Sequence, residues 1–577
     1  MSEACPPGPG PSAEVEPALR FASSPAVTAP RRWAGAIRLF AGAPRETAAI
    51  LRARLTGRRV RAAQRLAAVL GLDHRGLWCS SSRLVRLMPA PRGGDVDPAQ
   101  IPGVDLRCAS AGAIDGPAPL VILTAPGHGL LPGAAAQFQA AFADDPARQA
   151  IYGDALLIRP DGAAMPLLRP AFDRDYLMGV DYIGPVVALR RSGLAALGDI
   201  AEVPAHHRAT DLILRLADRF GAGAIGHLPR PVSQSILAPD PTLHAAAPRG
   251  EGARSARHAI IRSALDRAGM GGVAIEAGHD GILTLRHPLP AEPPLVSLIV
   301  PTRDRLDLLR PCIDSLLERT DWQPREILIC DNGSAEPATH RYFRDLAERG
   351  LARIVPCDGP FDFAAMNNAA ARLARGRVLA FINNDVSTRQ PDWLERLVRE
   401  ALRPDVGAVG AKLVDGQGRI QHGGVLLGPG GLVTHAHRHF PEAAPGYLAA
   451  LSATRAVSAV TAACLVVEAA KFAAVGGFDG QAFAVDFNDV DLCLRLNAAG
   501  YRTLFVPGAV LDHFEAASRR WTPEALARHQ REVAALKRQW GPLLAQDPHY
   551  HPGFDPDLGS YARLRLDWPG ACPVSPR

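Results

Sequence analysis

Short unbroken apolar runs alternate with amphipathic segments through the second half of the chain. The apolar runs are LVSLIV, EILIC, ARIVPC and RVLAFI, and helix-like segments such as LLRPCIDSLLERT and AAMNNAAARLARG lie between them. Strands buried on both faces have continuous apolar sequences, and strands that alternate with helices of ten or more residues form βαβ units. The pattern therefore predicts an α/β domain with a mostly parallel sheet and helices on its faces.

The first half shows the same alternation in a shorter form, with strand-like PLVILTA, IYGDALLI and YIGPVVALR and helix-like TDLILRLADRFG. The Pro-rich stretch HPLPAEPP marks the clearest boundary between the halves. These changes in pattern predict six segments: a disordered stretch (1–30), a basic helical or irregular region (31–99), a second and smaller α/β domain (100–245), a helical and Pro-rich linker (246–293), the main domain (294–520), and a C-terminal helix and tail (521–577).

Composition excludes several classes of protein. A net charge of +6 over 577 residues is weak, so we expect no nucleic acid partner. Nine cysteines without a C-x-x-C pair suit buried thiols in a reducing compartment, and no apolar stretch has the length of a membrane span. We therefore expect a cytoplasmic protein. The arginine-rich run TAAILRARLTGRRVRAAQRLAAVLG predicts a basic amphipathic helix that either packs on its own domain or forms a surface that touches anionic lipid, at the inner membrane, or RNA.

Polar side chains follow three of the predicted strands in the main domain. Thr302, Arg303 and Asp304 follow the first strand, Asp331 and Asn332 the second, and Asn383, Asn384 and Asp385 a third. The carboxyl ends of parallel strands meet at one edge of a sheet, where α/β proteins bind ligands. Oxygen ligands at such an edge suit Mg2+ or Mn2+ holding a diphosphate, although each group alone could simply be part of a turn or a helix cap. The segment lacks the G-x-G-x-x-G and P-loop motifs.

A second polar cluster, DFNDVD, precedes the predicted helix LCLRL. Asp491 could be the helix N-cap, but a cap does not explain Asp486 and Asp489. A carboxylate next to a metal site is a candidate general base. His513 follows another predicted strand and could be a metal ligand at the same edge or a structural residue.

Residues 294–520 resemble the catalytic domain of a family 2 glycosyltransferase, which has the GT-A fold. The matching motifs include VSLIVPTRDR, EILICDNGS, FINNDV, GAVGAKL, SAVTAACLVV, GGFD and DFNDVDLCLRL, and they occur in the family's order. The resemblance implies a transferase of the bacterial rhamnosyl or O-antigen type. It also implies a nucleotide-sugar donor (UDP-, GDP- or dTDP-linked), a glycan or lipid-linked acceptor, and inversion at the anomeric carbon by single displacement.

The resemblance also implies roles for individual residues. Pro301, Thr302, Arg303, Asp331 and Asn384 would bind the donor nucleotide. Asp385 would be a direct ligand of a divalent metal (Mg2+ or Mn2+), with His513 as a further ligand. Asp489 would be the catalytic base. The chain departs from the family pattern at Asn384 and Asn488, where acidic residues are common, and both changes reduce the negative charge of the site.

The first half then resembles a degenerate copy of the same domain. Ala209 stands where the second half has Asp489, Ser235 or a neighbour stands in place of His513, and Thr124–His128 lacks the acidic residue. We therefore predict that this copy is not catalytic, while His128 and Asp154 are candidate ligand residues with structural roles as the alternative. Two rival functions remain for the whole chain. One is a sugar nucleotidyltransferase, which would need a glycine-rich loop after the first strand, and the segment PTRDRLDLL has no glycine. The other is a non-catalytic carbohydrate-binding scaffold.

Overall fold

The computed structural model describes residues 44–56, 62, 64–66, 68, 104–108, 116–125, 127–158, 164–198, 203–236, 251–278, 281–514, 522–554 and 561. The predicted disorder of residues 1–30 and most of the far C-terminal tail lie outside these residues. Among the described residues, no helix combines the length and apolar character needed to cross a membrane.

The basic N-terminal region contains helix α1 (Pro44–Leu55). Glu46 on this helix forms ion pairs with Arg65 and Arg419, at 3.1 and 2.8 Å. Gln64 donates a hydrogen bond to Thr434 over 2.7 Å. These contacts favour the packed alternative, because they attach this region to the second half of the chain.

The first half forms a seven-stranded sheet in the order β1-β2-β6-β4-β7-β3, with β5 paired to β4. A separate hairpin follows it. The elements are β1 Val104–Cys108, β2 Leu120–Thr124, β3 His128–Leu130, α2 Ala134–Asp144, β4 Ala150–Ile158, β5 Ala164–Leu167, α3 Arg174–Gly179, β6 Val187–Arg190, α4 Arg191–Ala195, α5 Ala205–Phe220, β7 Ile225–Ile236, α6 Glu251–Arg267, β8 Ala274–Ala277 and β9 Leu283–Arg286.

The second half forms a ten-stranded sheet in the order β12-β11-β10-β13-β20-β15-β21-β14, with β16 paired to β15 and β19 to β21. The strands of this sheet are β10 Val296–Thr302, β11 Arg325–Asp331, β12 Arg353–Pro356, β13 Val378–Ile382, β14 Val386–Thr388, β15 Val406–Val414, β16 Ile420–His422, β19 Arg455–Ala456, β20 Cys464–Glu468 and β21 Arg502–His513. Strands β17 Val425–Leu427 and β18 Val433–His435 form a separate two-stranded sheet. The helices are α7 Leu306–Glu318, α8 Pro337–Glu348, α9 Phe363–Leu373, α10 Trp393–Ala401, α11 Ala469–Ala474, α12 Asn488–Ala498 and α13 Pro523–Ala545.

The larger sheet is mixed, and the side of it that contains β10 to β13 is parallel, as the apolar runs predict. Strands β10 to β13 pair in parallel and are followed by β20, which is antiparallel to both β13 and β15. Strand β15 then pairs in parallel with β21. Residues of β10, β13 and β15 are buried throughout, because helices cover both faces of the sheet.

The two sheets share one topology. The order β2-β6-β4-β7-β3 matches β13-β20-β15-β21-β14 in order and direction, and β5 corresponds to β16. The ion pair Asp211–Arg215 near the start of α5 likewise corresponds to Asp491–Arg495 in α12. Residues 109–119 join β1 to β2, whereas residues 303–377 join β10 to β13 and form β11 and β12. The prediction of a reduced GT-A-like first half is confirmed at the level of fold.

The segment predicted as a linker at 246–293 is packed structure. Helix α6 buries Ile261 and Leu265 completely in the apolar core of the first half, alongside α5. Its Arg257 is also buried and donates hydrogen bonds to the carbonyl oxygens of Leu177 and Met178, at 2.8 and 3.0 Å. The linker interpretation failed because it gave the Pro-rich flanks more weight than the apolar face of this helix.

Buried ion pairs and hydrogen bonds join the halves. Asp175 in α3 pairs with Arg403 at 3.0 Å and with Arg502 at 2.5 Å. Burial opposes ionisation of Asp175, but the two guanidinium groups hold its pKa well below the usual range. Asp173 accepts a hydrogen bond from the backbone N–H of Ala456 over 2.6 Å. The first half therefore packs against the second through buried polar contacts.

A buried carboxylate attaches the C-terminal tail to the first half. Asp154 in β4 accepts hydrogen bonds from the backbone N–H of Arg169 and from Nε2 of His227 and His551, at 2.9, 3.1 and 2.9 Å. Burial alone would raise the pKa of Asp154, but the two histidines hold it well below its usual range. We call these three side chains the tail anchor (Asp154, His227, His551).

The tail anchor predicts a large effect of one substitution on stability. Asp154→Asn places an amide N–H2 among donors that need an acceptor, so the free energy of unfolding should fall by roughly 3–5 kcal/mol. Urea unfolding followed by tryptophan fluorescence measures the change. Asp345→Asn, at an exposed i,i+4 ion pair on α8, is the matched control and should change stability by less than about 0.5 kcal/mol. Equal midpoints for the two variants would contradict a supporting role for the anchor.

Candidate active site

The polar ends of three strands meet at one edge of the larger sheet. Asn384 donates a hydrogen bond from Nδ2 to Oγ1 of Thr302 over 2.9 Å. The backbone N–H of Asn332 donates to the carbonyl oxygen of Thr302, also over 2.9 Å. The ends of β10, β11 and β13 therefore surround one crevice, as expected for parallel strands.

The residues predicted to bind the nucleotide differ in their exposure. Arg303 is exposed and makes no hydrogen bond or ion pair with any described residue. Asp331 is half-buried, and its Oδ1 accepts a hydrogen bond from the backbone N–H of Ser334 over 2.9 Å. This oxygen therefore stabilises the turn after β11, which was the structural alternative for Asp331. Pro301 is buried and pairs with Cys330 in the sheet, so it lies beneath the crevice.

Asp385 and His513 form the part of the crevice that fits a metal. Nε2 of His513 lies 3.2 Å from Oδ1 of Asp385. That oxygen is buried and accepts no hydrogen bond from any described residue. Two ligands held about 2.1 Å from one ion at a right angle lie roughly 3 Å apart. The pair therefore has the spacing and the unsatisfied oxygen of a divalent cation site, and its imidazole suits Mn2+ better than Mg2+, which takes mainly oxygen ligands.

The backbone holds this pair in register. Val386, directly after Asp385, pairs with His513 in the ladder between β14 and β21. The N–H of Phe514 donates to the carbonyl oxygen of Asp385 over 2.9 Å. In the first half the same ladder position pairs His128 with Ser235, so the residue that corresponds to His513 is Ser235.

Asp489 lies in the first turn of α12 with its side chain partly exposed. Its Oδ2 accepts the N–H of Ala462 over 3.0 Å, and Oδ1 accepts the N–H of Val490 over 2.8 Å. Burial raises the pKa of the Asp489 carboxyl, and these N–H groups oppose the increase. A carboxylate with a raised pKa is a stronger base than an ordinary carboxylate, which suits a proton acceptor.

One residue pair connects Asp489 to the metal-type end of the crevice. Ala462 donates its N–H to Asp489, and the next residue, Ala463, accepts the N–H of Asn383 over 3.1 Å. Asp489 and the Asn383–Asp385 turn are therefore separated by one short piece of backbone.

The predicted helix cap at Asp491 is wrong. Helix α12 begins at Asn488, after Phe487 adopts a left-handed conformation with φ of 62°. Asp491 is fully buried within the helix, where it pairs with Arg495 at 2.7 Å and accepts the indole N–H of Trp540 over 3.0 Å. The helix starts one turn earlier than expected because the preceding loop is stabilised from another part of the chain.

That stabilisation comes from α13, and the sequence alone gave no specific sign of it. Glu532 is 3% exposed, and its two oxygens accept the backbone N–H groups of Val485 and Asp486 at 3.2 and 2.5 Å. Burial raises the pKa of Glu532. Nδ1 of His529 lies 3.0 Å from Oδ2 of Asp486. Because Trp540 of the same helix donates to Asp491, α13 contacts the chain on both sides of Asp489.

Among the described residues, the tail anchor is the one group that brings three metal-ligating side chains within ligand distance of one another, and its hydrogen bonds favour a structural role. Nδ1 of His551 accepts the backbone N–H of Gly553 over 2.9 Å. The proton of this imidazole is therefore on Nε2, which donates it to Asp154. A structural role explains Asp154 fully, and no described acid of the first half corresponds to Asp385 or Asp489.

Comparisons with known proteins agree with this geometry. The sequence model described as "Glycosyl transferase family 2" matches residues 297–426. The uncharacterized protein y4gI of Sinorhizobium fredii is 37% identical over 69% of this chain and 44% of its own length. The O-antigen biosynthesis protein RfbC of Myxococcus xanthus is 34% identical over 73% of this chain and 33% of its own.

A shorter relative is the N-acetylglucosaminyl-diphospho-decaprenol L-rhamnosyltransferase of Mycobacterium tuberculosis, which is 26% identical over 37% of this chain and 74% of its own length. The chain spans less than half the length of y4gI and RfbC. The family match includes the ends of β10, β11 and β13 with Asp385, and it ends before the segments that contain Asp489 and His513. Residues 297–426 therefore belong to a family 2 glycosyltransferase domain, and the larger sheet that contains them has the GT-A fold.

Proposed function

We propose that the chain is an inverting glycosyltransferase that moves a sugar from a nucleoside diphosphate to a hydroxyl of a glycan or lipid-linked acceptor. The observation that carries the proposal is the backbone link between Asp489 and the Asn383–Asp385 turn. This link brings the Asp489 carboxylate close to Asp385, which we propose as a ligand of a diphosphate-bound cation. The relatives named for O-antigen biosynthesis and for rhamnosyl transfer to a diphospho-decaprenol support cell-surface polysaccharide as the product.

Each residue then has a distinct role in donor binding. Asp385 and His513 would hold the divalent ion, which when bound neutralises charge on the departing diphosphate. The exposed Arg303 can approach the phosphates or the ribose. Asp331 keeps one carboxylate oxygen free of the turn and can accept a hydrogen bond from the base. The amide of Asn384, held by Thr302, adds no charge to the site.

Asp489 provides the chemistry at the acceptor. Its carboxylate takes the proton of the acceptor hydroxyl, and the oxygen forms a bond to the anomeric carbon. The bond from that carbon to the diphosphate breaks on the opposite side, so the configuration inverts. Two backbone N–H groups donate hydrogen bonds to Asp489 and orient its carboxylate before the reaction. This orientation lowers the free energy needed to reach the transition state.

We also propose that the first half is not catalytic. Its described residues include no counterpart of β11, which ends in Asp331, or of β12. Its position for the base is Ala209, which is buried among apolar side chains. The buried contacts of Asp173 and Asp175 with the second half support a structural role for this domain.

The base assignment predicts a specific loss of turnover. Asp489→Asn should reduce kcat by roughly 10²- to 10⁴-fold, because an amide cannot accept the proton, and should leave the Kd for the nucleoside diphosphate unchanged. Because the active form is the carboxylate, the wild-type rate should fall as pH drops through the raised pKa of Asp489. Steady-state rates against pH and calorimetric binding measure both effects. Near-wild-type turnover in this variant, with Asp345→Asn as control, would disprove the role.

The metal assignment predicts a cation-dependent loss of binding. Asp385→Ala should weaken Mn2+-dependent binding of UDP, GDP or dTDP by at least about tenfold, since it removes the buried oxygen ligand. Binding measured without Mn2+ should differ little between the variant and the wild type. Calorimetry with and without Mn2+ provides the comparison. Equal effects of Mn2+ on the variant and on Asp345→Ala would place the metal elsewhere.

The contact from α13 predicts that Glu532 is a positioning residue. Glu532→Gln keeps one acceptor oxygen but turns an N–H2 toward a backbone N–H, so the loop before Asp489 should shift. We expect kcat to fall by about 10- to 100-fold with an unchanged donor KM, and the acidic limb of the pH profile to move. The exposed Glu524→Gln on the same helix is the control. A fall in thermal stability with unchanged kcat and pH profile would show a purely structural role.

A further inference from the structure

Lys412 differs from the other lysines of this chain. The sequence contains three lysines, Lys412, Lys471 and Lys537. Lys471 donates hydrogen bonds to three backbone carbonyl oxygens, and Lys537 is exposed on α13. Lys412 is 9% exposed and makes no hydrogen bond or ion pair with any described residue. Most of the Lys412 side chain is withdrawn from water without a carboxylate in contact, and this disfavours the charged form of its amine.

Lys412 lines a cavity of about 240 Å³ at the outer edge of the larger sheet. The register of β15 against β21 shifts between Ala411 and Lys412, so Pro507–Ala509 bulge out of the ladder. On the outer side, β21 pairs with β19 only up to Phe505 and with β14 only from Leu511. Among the described strands, none pairs with this side of β21 at the bulge, and the cavity opens there.

The other charges around the cavity are balanced. Arg286, Arg396 and Arg399 line it, and they pair with Glu276, Asp392 and Glu395. Glu400, also in the lining, pairs with Arg403 at 2.7 Å. Lys412 therefore contributes a positive charge that no nearby carboxylate contacts.

The lining also contains groups that bind oxyanions. Ser452 and Thr454 provide hydroxyl groups on the wall formed by the segment before β19. Burial lowers the pKa of Lys412 to about 8, with the half-exposed Glu442 as the one carboxylate that opposes the shift. An anion beside the ammonium would restore its charged form and supply the missing partner.

We propose that this cavity binds a phosphate group, with Lys412 as its charged ligand and Ser452 and Thr454 as hydroxyl donors. The paired arginines give the rim a guanidinium surface that suits phosphate oxygens. The site lies outside the crevice that contains Asp385 and Asp489, and it uses none of the residues assigned to sugar transfer. The phosphate could be free or part of a larger molecule, and both sources share this chemistry.

Competitive acetylation of the intact chain tests the site directly. Trace acetic anhydride at pH 8 labels uncharged amines, and peptide mass spectrometry reports each of the three lysines separately. Inorganic phosphate should slow labelling of Lys412 at least threefold with saturation, and leave Lys537 unchanged. If phenyl phosphate protects Lys412 at a lower concentration than inorganic phosphate does, the ligand is a phosphate on a larger molecule. If inorganic phosphate protects at the lower concentration, the ligand is the free ion. Equal protection by acetate, or none by either phosphate, would overturn the proposal.

Thermal melting of a variant gives an independent readout. Lys412→Met removes the buried charge while keeping the length of the side chain, so it should melt no lower than the wild type in phosphate-free buffer. Inorganic phosphate should raise the Tm of the wild type and of the Lys537→Met control, but not that of Lys412→Met. An equal phosphate-induced rise in all three proteins would also overturn the proposal.

Discussion

The active-site crevice depends on the backbone of Ala462 and Ala463. These residues directly precede β20, the antiparallel strand between β13 and β15. An antiparallel strand begins at the edge where its parallel neighbours end, so its first residues reach the crevice. Ala462 there donates to the carboxylate of Asp489, and Ala463 accepts from Asn383. The reversal of one strand thus joins the candidate base to the candidate metal site.

The first half keeps this scaffold but not the residues that we propose for the chemistry. Strand β6 is antiparallel to its neighbours in the same way, and α5 keeps the buried Asp211–Arg215 pair. At the position of the base there is Ala209, and at the position of His513 there is Ser235. Three buried carboxylates of this half bind other parts of the protein. Asp173 and Asp175 contact the second half, and Asp154 contacts the tail.

Local patterns were sufficient to predict much of the fold and of the crevice. The run LVSLIV became β10 and VLAFI became β13, because a strand buried on both faces needs a continuous apolar sequence. The convergence of Thr302 and Asn384 followed from parallel topology. Contacts between residues far apart in sequence were not predictable. The contact of Glu532 with the loop before Asp489 depends on how α13 packs, and the contact of His551 with Asp154 depends on how the tail packs.

Iron-mediated cleavage of the backbone tests most directly where the cation binds. Fe2+ replaces Mn2+ in the presence of a nucleoside diphosphate, and ascorbate with peroxide then cuts the chain next to the bound ion. Mass spectrometry of the fragments should show cuts beside Asp385 and His513, which meet in the ladder between β14 and β21. Cuts beside Asp154, His227 and His551 instead would contradict the assignment, since they would place the ion in the tail anchor.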